Sequence, residues 1–459
     1  MQRGVEGTLT VIEGGIKAFA GRRVLLLQGP VGPFFKRFAK DLADVGCEVH
    51  KINFNAGDWL FYPGGIPYRG KMEDWPSWFE NQLRILRIEL VFLFGDCRPI
   101  HQPAHAVAKR LGVEVSVFEE GYLRPDFITL ERDGVNANSP MTRQPEDYLA
   151  VPNRILTVRP MPSAFWVMVW WGFNYFLFGG MGRWLYPHYQ HHRPLKLREC
   201  LPWILSPLRK AWYKWRQRGL QNMLAGPWGK MFYFVPLQVH NDAQVLTHAD
   251  VGGMEGFIAS TIASFASHAE ADNRLVFKHH PMDRGYRNYT QLIRDLAQSH
   301  GCADRVLYIH DQHTPTLIRA CRGVVVVNST VGLTAVGMGC PTKAVGEAVW
   351  DMPGLTYQGS LDKFWTEAES AVPNKVLHRK FKSELIARTQ INGNFYKQLA
   401  PELSATGLIW NSEATVLPKG GAKPAAEAPE ASAEQEEPAR VKGSSTGYPR
   451  APSLAPART

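Results

Sequence analysis

Two short apolar runs in this chain each end in residues suited to holding an anion. Arg274-Leu-Val-Phe-Lys278 leads into His279-His280-Pro281-Met282-Asp283-Arg284-Gly285, and Gly323-Val-Val-Val-Val327 leads into Asn328-Ser329-Thr330-Val331-Gly332. Runs of this length that give way to small and polar residues predict strands feeding tight turns and closely packed helices. In an open parallel sheet, ligands bind beyond the carboxyl ends of the strands. Lys278, His280 and Arg284, with Pro281 in the same turn, therefore face the same crevice as Asn328, Ser329 and Thr330. Hydroxyls and amides at a helix N-terminus favour an anion through unpaired donors and the helix dipole, and the cations add charge-assisted hydrogen bonds. Phosphate or carboxylate is the expected guest. Ser329 and Thr330 equally suit plain helix caps, and His280 a buried structural histidine.

The first half of the chain repeats the pattern with the opposite charge. Glu89-Leu-Val-Phe-Leu-Phe-Gly95 is followed by Asp96, Arg98 and His101, and Gly112-Val-Glu-Val-Ser-Val-Phe118 by Glu119, Glu120 and Arg124. Two carboxylates beside an arginine can be set to different pKa values, which is what a base for an acceptor hydroxyl requires. Glu120 is the candidate base, with Glu119 the other choice; Asp96, Arg98, His101, Glu119 and Arg124 are candidate acceptor-side residues. A solvated loop with an Arg–Glu ion pair is the plainer reading.

Three segments in this order, Lys278-His-His-Pro-Met-Asp-Arg-Gly285, Asn328-Ser-Thr-Val-Gly332 and Gly354-Leu-Thr-Tyr-Gln-Gly-Ser-Leu-Asp-Lys-Phe-Trp365, resemble the capsular polysaccharide biosynthesis family, in its KpsS-type (LipB-like) branch. Glu119-Glu-Gly-Tyr-Leu-Arg-Pro125 is similar to that family's pattern as well. The resemblance, over about Arg22 to Leu408, implies a GT-B-like β-Kdo transferase that uses CMP-Kdo. Its implied acceptor is a lysophospholipid of phosphatidylglycerol type, modified at the inner face of the bacterial inner membrane. It also implies the capsule assembly and ABC export complex as partners. In neighbouring β-Kdo transferases a Q-x-x-x-D element supplies the carboxylate that attacks the anomeric carbon, which marks Gln238 and Asp242 here. No metal or other cofactor is expected, because no D-x-D element has a clear site and cationic side chains can stabilise departing CMP. A non-catalytic capsule assembly or export factor and a sugar-nucleotide epimerase-like enzyme are the competing readings.

These sites need a scaffold, and the chain is long enough for two cores. The expected fold is α/β, with two Rossmann-like domains facing a cleft. An extension over residues 1–20 precedes an acceptor-side domain over 21–158, which opens as β-α-β with the turn Gly29-Pro-Val-Gly-Pro33. That turn lacks G-x-G-x-x-G, and its prolines remove amide donors. A helical insertion over 159–229 precedes a donor domain over 230–372. C-terminal helices over 373–416 are expected to pack back across the domains. Residues 417–459, rich in Pro, Ala, Glu and Lys with Tyr448 the only aromatic residue, cannot bury enough apolar surface to fold.

The net charge of +10 points to anionic partners, and nothing in the motifs selects nucleic acid. Six scattered cysteines without a C-x-x-C pair read as core residues of a reduced, cytoplasmic protein. The first 23 residues have no continuous apolar run, so no secretory signal is expected. Met161 to Gly182 carries no charge and eight aromatic residues between Phe165 and Phe178, and a segment rich in lysine, arginine and tryptophan follows it. Rings beside cations describe an element lying in the interface of an anionic membrane; buried interdomain helices and a membrane span are the alternatives. The expected location is peripheral, on the cytoplasmic face of the inner membrane.

Overall fold

The structure is a computed structural model that describes residues 14–152, 157–188, 191, 200–240 and 252–411. Asp242, the 1–13 end of the N-terminal extension and the 417–459 segment lie outside the described residues.

Two sheets carry the described chain. The first contains β1 (Arg23–Leu26), β2 (Glu48–Asn53), β3 (Ile66–Pro67), β4 (Leu90–Phe94), β5 (Glu114–Glu120) and β6 (Phe127–Arg132). The second contains β7 (Phe232–Pro236), β8 (Arg274–Lys278), β9 (Val306–Ile309), β10 (Gly323–Val326) and β11 (Thr342–Ala344). A last strand, β12 (Gln390–Asn392), returns to the first sheet, giving orders β12-β6-β5-β4-β1-β2-β3 and β11-β10-β7-β8-β9. All pairs are parallel except β5 with β6 and β6 with β12. Each sheet thus starts at its centre and reverses direction once, between β1 and β4 and between β7 and β10. This is the doubly wound Rossmann pattern, in which the reversal opens a crevice at the carboxyl ends.

Residue alternation explains why the sheets are covered on both faces. Val24 and Leu26 pack with Phe34, Phe38, Phe92 and Phe118 on one side of β1, whereas Leu25 and Leu27 pack with Phe54, Trp75 and Val91 on the other. Phe232, Phe234 and Val276 share a core with Val324 and Val326, while Tyr233, Val235, Phe277 and Val325 lie on the opposite face. A strand apolar at both parities can only sit between two layers of helices.

Between Arg110 and the second sheet the chain holds more strand than the spacing suggested. Gly121 turns β5 back into β6, because any Cβ there would strike the Phe127 carbonyl. The C-terminal return is one helix, Lys375–Thr389, followed by β12, in place of helices alone. β12 seals the edge of β6, and Gln390 donates to Thr129 Oγ1 at 2.9 Å while accepting from the Tyr122 amide at 3.0 Å. Beyond it, Phe395 inserts edge-on against Phe34 and Phe94 in the first core.

The aromatic stretch forms the helix Phe165–Met181, which packs on Ala56–Phe61 through Gly172, Tyr175 and Gly179. Among the described residues no helix is long and apolar enough to cross a membrane.

Candidate functional site

The carboxyl ends of β5, β7, β8 and β10 border one cleft of about 290 Å³. Its first-sheet wall is Glu119, Glu120, Arg124 and Asn136. Its second-sheet wall is Pro236 to Val239, Lys278 to Pro281, Thr314 and Asn328 to Val331. Two Rossmann-like sheets with their C-terminal edges turned to one cleft make the GT-B-like arrangement expected from the sequence.

On the second wall, Gln238 and Asn328 fasten the reversal point between β7 and β10. Gln238 Nε2 donates to Asn328 Oδ1 at 3.0 Å, and the Asn328 amide donates back to Gln238 Oε1 at 3.2 Å. Ser329 caps the helix Thr330–Gly337, its Oγ accepting from the Val331 amide at 3.2 Å, so the positive end of that helix faces the cleft. His280 caps the turn Pro281–Asp283, its Nδ1 accepting from the Met282 amide at 3.2 Å.

Lys278 ends β8 only 8% exposed. No described residue forms a hydrogen bond or ion pair with its ammonium, and burial lowers its pKa against the attraction of Asp311. A nearly buried cation bordering a cleft without a partner is costly unless an anion arrives. Beside it, His279 is buried and held neutral, its pKa lowered to about 4 by burial. The Tyr289 amide donates to the Tyr308 hydroxyl at 3.5 Å, and that hydroxyl lies 2.5 Å from His279 Nδ1.

On the first wall, burial pushes the Glu119 carboxyl up to about 7, against a hydrogen bond from the Glu120 amide at 3.0 Å and the nearby Arg98. Glu120 Oε1 accepts from the half-buried Tyr396 hydroxyl at 3.4 Å. Arg124 Nε donates to the Gly121 carbonyl at 3.2 Å. Arg98 lies over the Phe94 ring at 4.7 Å and reaches the Gly29 carbonyl at 3.4 Å, bridging the reversal point of the first sheet.

The cleft therefore gathers Glu119, Glu120, Arg124, Gln238, Lys278, His280, Pro281, Asn328, Ser329 and Thr330. Four expected residues lie elsewhere. Arg284 pairs with Asp311 and donates to Ser206 Oγ at 3.3 Å, because the turn Pro281–Asp283 carries it away from the cleft lining. His101 is buried on the inner side of its helix, with Nδ1 2.7 Å from the Gly95 carbonyl oxygen and a pKa lowered to about 3 by burial. Asp96 accepts from Asn138 Nδ2 at 2.8 Å and fixes the loop after β6. Arg98 stands behind Glu119, both against Gly95, and is not part of the lining.

Among the residues that build the site, Thr314, Asn136, Tyr396 and His240 were missed by sequence reasoning. Thr314 precedes Pro315 just after β9, a helix-start signal that also marks a strand end. Asn136 sits in the left-handed region at φ 57°, and Tyr396 arrives from the return segment; nothing local flags either. His240, whose ring Nδ1 is 2.5 Å from the buried Asp283 Oδ1, fixes the chain just before Asp242.

Residues 89–396 match the family described as capsule polysaccharide biosynthesis protein. The chain is similar to the capsule polysaccharide export protein KpsS of Escherichia coli, at 36% identity over 82% of this chain and 97% of the relative. It is 38% identical to the capsule polysaccharide modification protein LipB of Neisseria meningitidis serogroup A, over 83% of this chain and 93% of that one. Among solved structures, the β-Kdo 2,7-transferase part of KpsC from Thermosulfurimonas dismutans aligns at 12% identity and a TM-score of 0.40, over 81% of this chain and 92% of that chain.

Proposed function

Because this chain belongs to the capsule polysaccharide biosynthesis family, we propose that it is a retaining glycosyltransferase that moves Kdo from CMP-Kdo to a lysophospholipid of phosphatidylglycerol type. The sequence resemblance supplies the donor and acceptor. The observation that carries the reading is the make-up of the cleft: a nearly buried Lys278, with no hydrogen-bond or ion-pair partner among the described residues, beside a helix N-terminus on one wall, and two carboxylates with Arg124 on the other. Such a cleft suits an anionic leaving group opposite a base.

In this proposal Lys278, His280 and the Ser329-Thr330 turn hold the phosphate of the donor or the sugar carboxylate. Asp242 attacks the anomeric carbon, and the bond to the phosphate oxygen breaks with its electron pair leaving on CMP. The acceptor hydroxyl then displaces Asp242, giving its proton to a carboxylate, and two inversions leave the configuration retained. Glu119, titrating near neutrality, suits the base better than Glu120, which Tyr396 orients. The scheme requires no metal, since side-chain cations and helix amides neutralise the leaving group.

Incubation of the purified chain with CMP-Kdo and lysophosphatidylglycerol, followed by mass spectrometry of the lipid, tests this reading. Addition of one or more Kdo masses is expected. An unmodified lipid beside intact CMP-Kdo would favour a non-catalytic assembly or export factor, and consumption of a sugar nucleotide without lipid product an epimerase-like enzyme.

A further inference from the structure

Two helices present their apolar sides to solvent, and both are fastened to the cleft face of the molecule. In Phe165–Met181 the inner residue Tyr175 donates to Asp58 Oδ1 at 2.9 Å and accepts from Asn55 Nδ2 at 2.7 Å, which ties the helix to the segment following β2. Outward, Trp166, Trp170, Phe173 and Met181 form one stripe, continued by Trp184; Trp166 and Trp184 are 77% and 78% exposed.

The helix Cys200–Arg216 inverts the usual amphipathic arrangement. Its polar side faces the protein: Ser206 accepts from Arg284, Arg209 donates to the Arg284 carbonyl at 2.8 Å, Tyr213 stacks on His310 at 3.5 Å, and Gln217 just beyond accepts from the His310 amide at 2.9 Å. These partners follow β8 and β9, so this helix sits at the second sheet's C-terminal edge as the first does at the other. Leu205, Leu208, Trp212 and Trp215, spaced three, four and three residues apart, point to solvent, Trp215 at 63% exposure. Single exposed apolar residues are ordinary, but two stripes of them at helical spacing mark a surface that something apolar covers.

We propose that this two-helix face docks on the surface of an anionic lipid bilayer. Charge complementarity selects that occupant. From Met161 to Gly229 the chain has nine lysines and arginines against one acidic residue, Glu199, and Lys210, Lys214, Arg216 and Arg218 are exposed around the second stripe. Rings at headgroup level flanked by cations match an interfacial element. With one helix fixed to each sheet edge, docking turns the C-terminal edges that border the cleft toward the lipid. The surface does not depend on which sugar nucleotide the cleft accepts.

Co-sedimentation of the full chain with vesicles of phosphatidylcholine, with and without phosphatidylglycerol, tests the proposal without donor or acceptor turnover. Binding is expected only with phosphatidylglycerol and is weakened by salt. Each basic residue near an anionic surface contributes roughly five-fold, so K210Q/K214Q/R216Q, which removes three such charges, is expected to partition about a hundred-fold more weakly. W166S/W170S/W184S is also expected to lose binding. Unchanged melting by circular dichroism establishes that both variants fold, and both are expected to retain transfer to a soluble short-chain acceptor. Equal binding to neutral vesicles, or retention of either folded variant on anionic ones, would overturn the proposal. So would a dimer abolished by the tryptophan changes in a chain that ignores vesicles, which would assign the face to a second copy.

Discussion

Replacing Lys278 with methionine is expected to move stability and affinity in opposite directions. The lysine is 8% exposed, and burial sets its folded pKa below the 10.5 of the free group. Between those two values the unfolded chain binds more protons, so stability rises with pH across that window. Below the folded pKa the full cost of the buried charge remains. Methionine fills a similar volume without that cost, so the unliganded variant should melt at a higher temperature at pH 7. If Lys278 receives the donor phosphate, the same change removes a charge-assisted hydrogen bond of about 1.5–3 kcal/mol, equivalent to roughly 10- to 150-fold weaker CMP binding. Calorimetric titration with CMP and thermal melts with and without it measure both quantities. A variant that melts lower without ligand and keeps wild-type CMP affinity would refute the assignment of Lys278 as an anion holder.

The two carboxylates should separate in pH profiles. With Glu119 as base, kcat should rise with pH through about 7 and E119Q should lose that limb with roughly 10²- to 10⁴-fold of the rate, whereas E120Q should keep the limb. Because the Glu119 pKa rises from 4.5 to about 7 on folding, stability should fall as pH rises across that interval, and E119Q should flatten the fall in denaturant melts. Asp242→Ala should abolish transfer while CMP affinity by calorimetry stays near wild type; normal turnover would remove the double displacement. Asp41, which accepts from the amides of Ala405 and Thr406 at 2.6 and 3.0 Å and from the Thr406 hydroxyl, anchors the return segment. Asp41→Ala should cost about 3 kcal/mol in urea unfolding without changing CMP affinity.

Much of the cleft was legible because strand ends are. Apolar runs that close in Lys-His-His-Pro, Asn-Ser-Thr and Glu-Glu-Gly fix where the chain leaves a sheet, and a parallel sheet puts those exits on one edge. Ten of the expected residues consequently line one cavity. Position past a strand does not set the direction of a side chain, however. Arg284 follows a turn that swings it toward Asp311, and the first turn of the helix His101–Arg110 rolls His101 inward. β12 has only three residues and gains its pairing from β6, more than two hundred and fifty positions away, so no local pattern encodes it. Tyr396 reaches Glu120 by the same return of the chain.

A structure of the full chain with CMP bound tests the central claim most directly. The phosphate is expected in the cleft between the two sheets, within hydrogen-bond reach of Lys278 Nζ and of the Ser329-Thr330 turn, with Glu119 across from it. A nucleotide bound away from the ends of β8 and β10, with Lys278 left uncontacted, would contradict it.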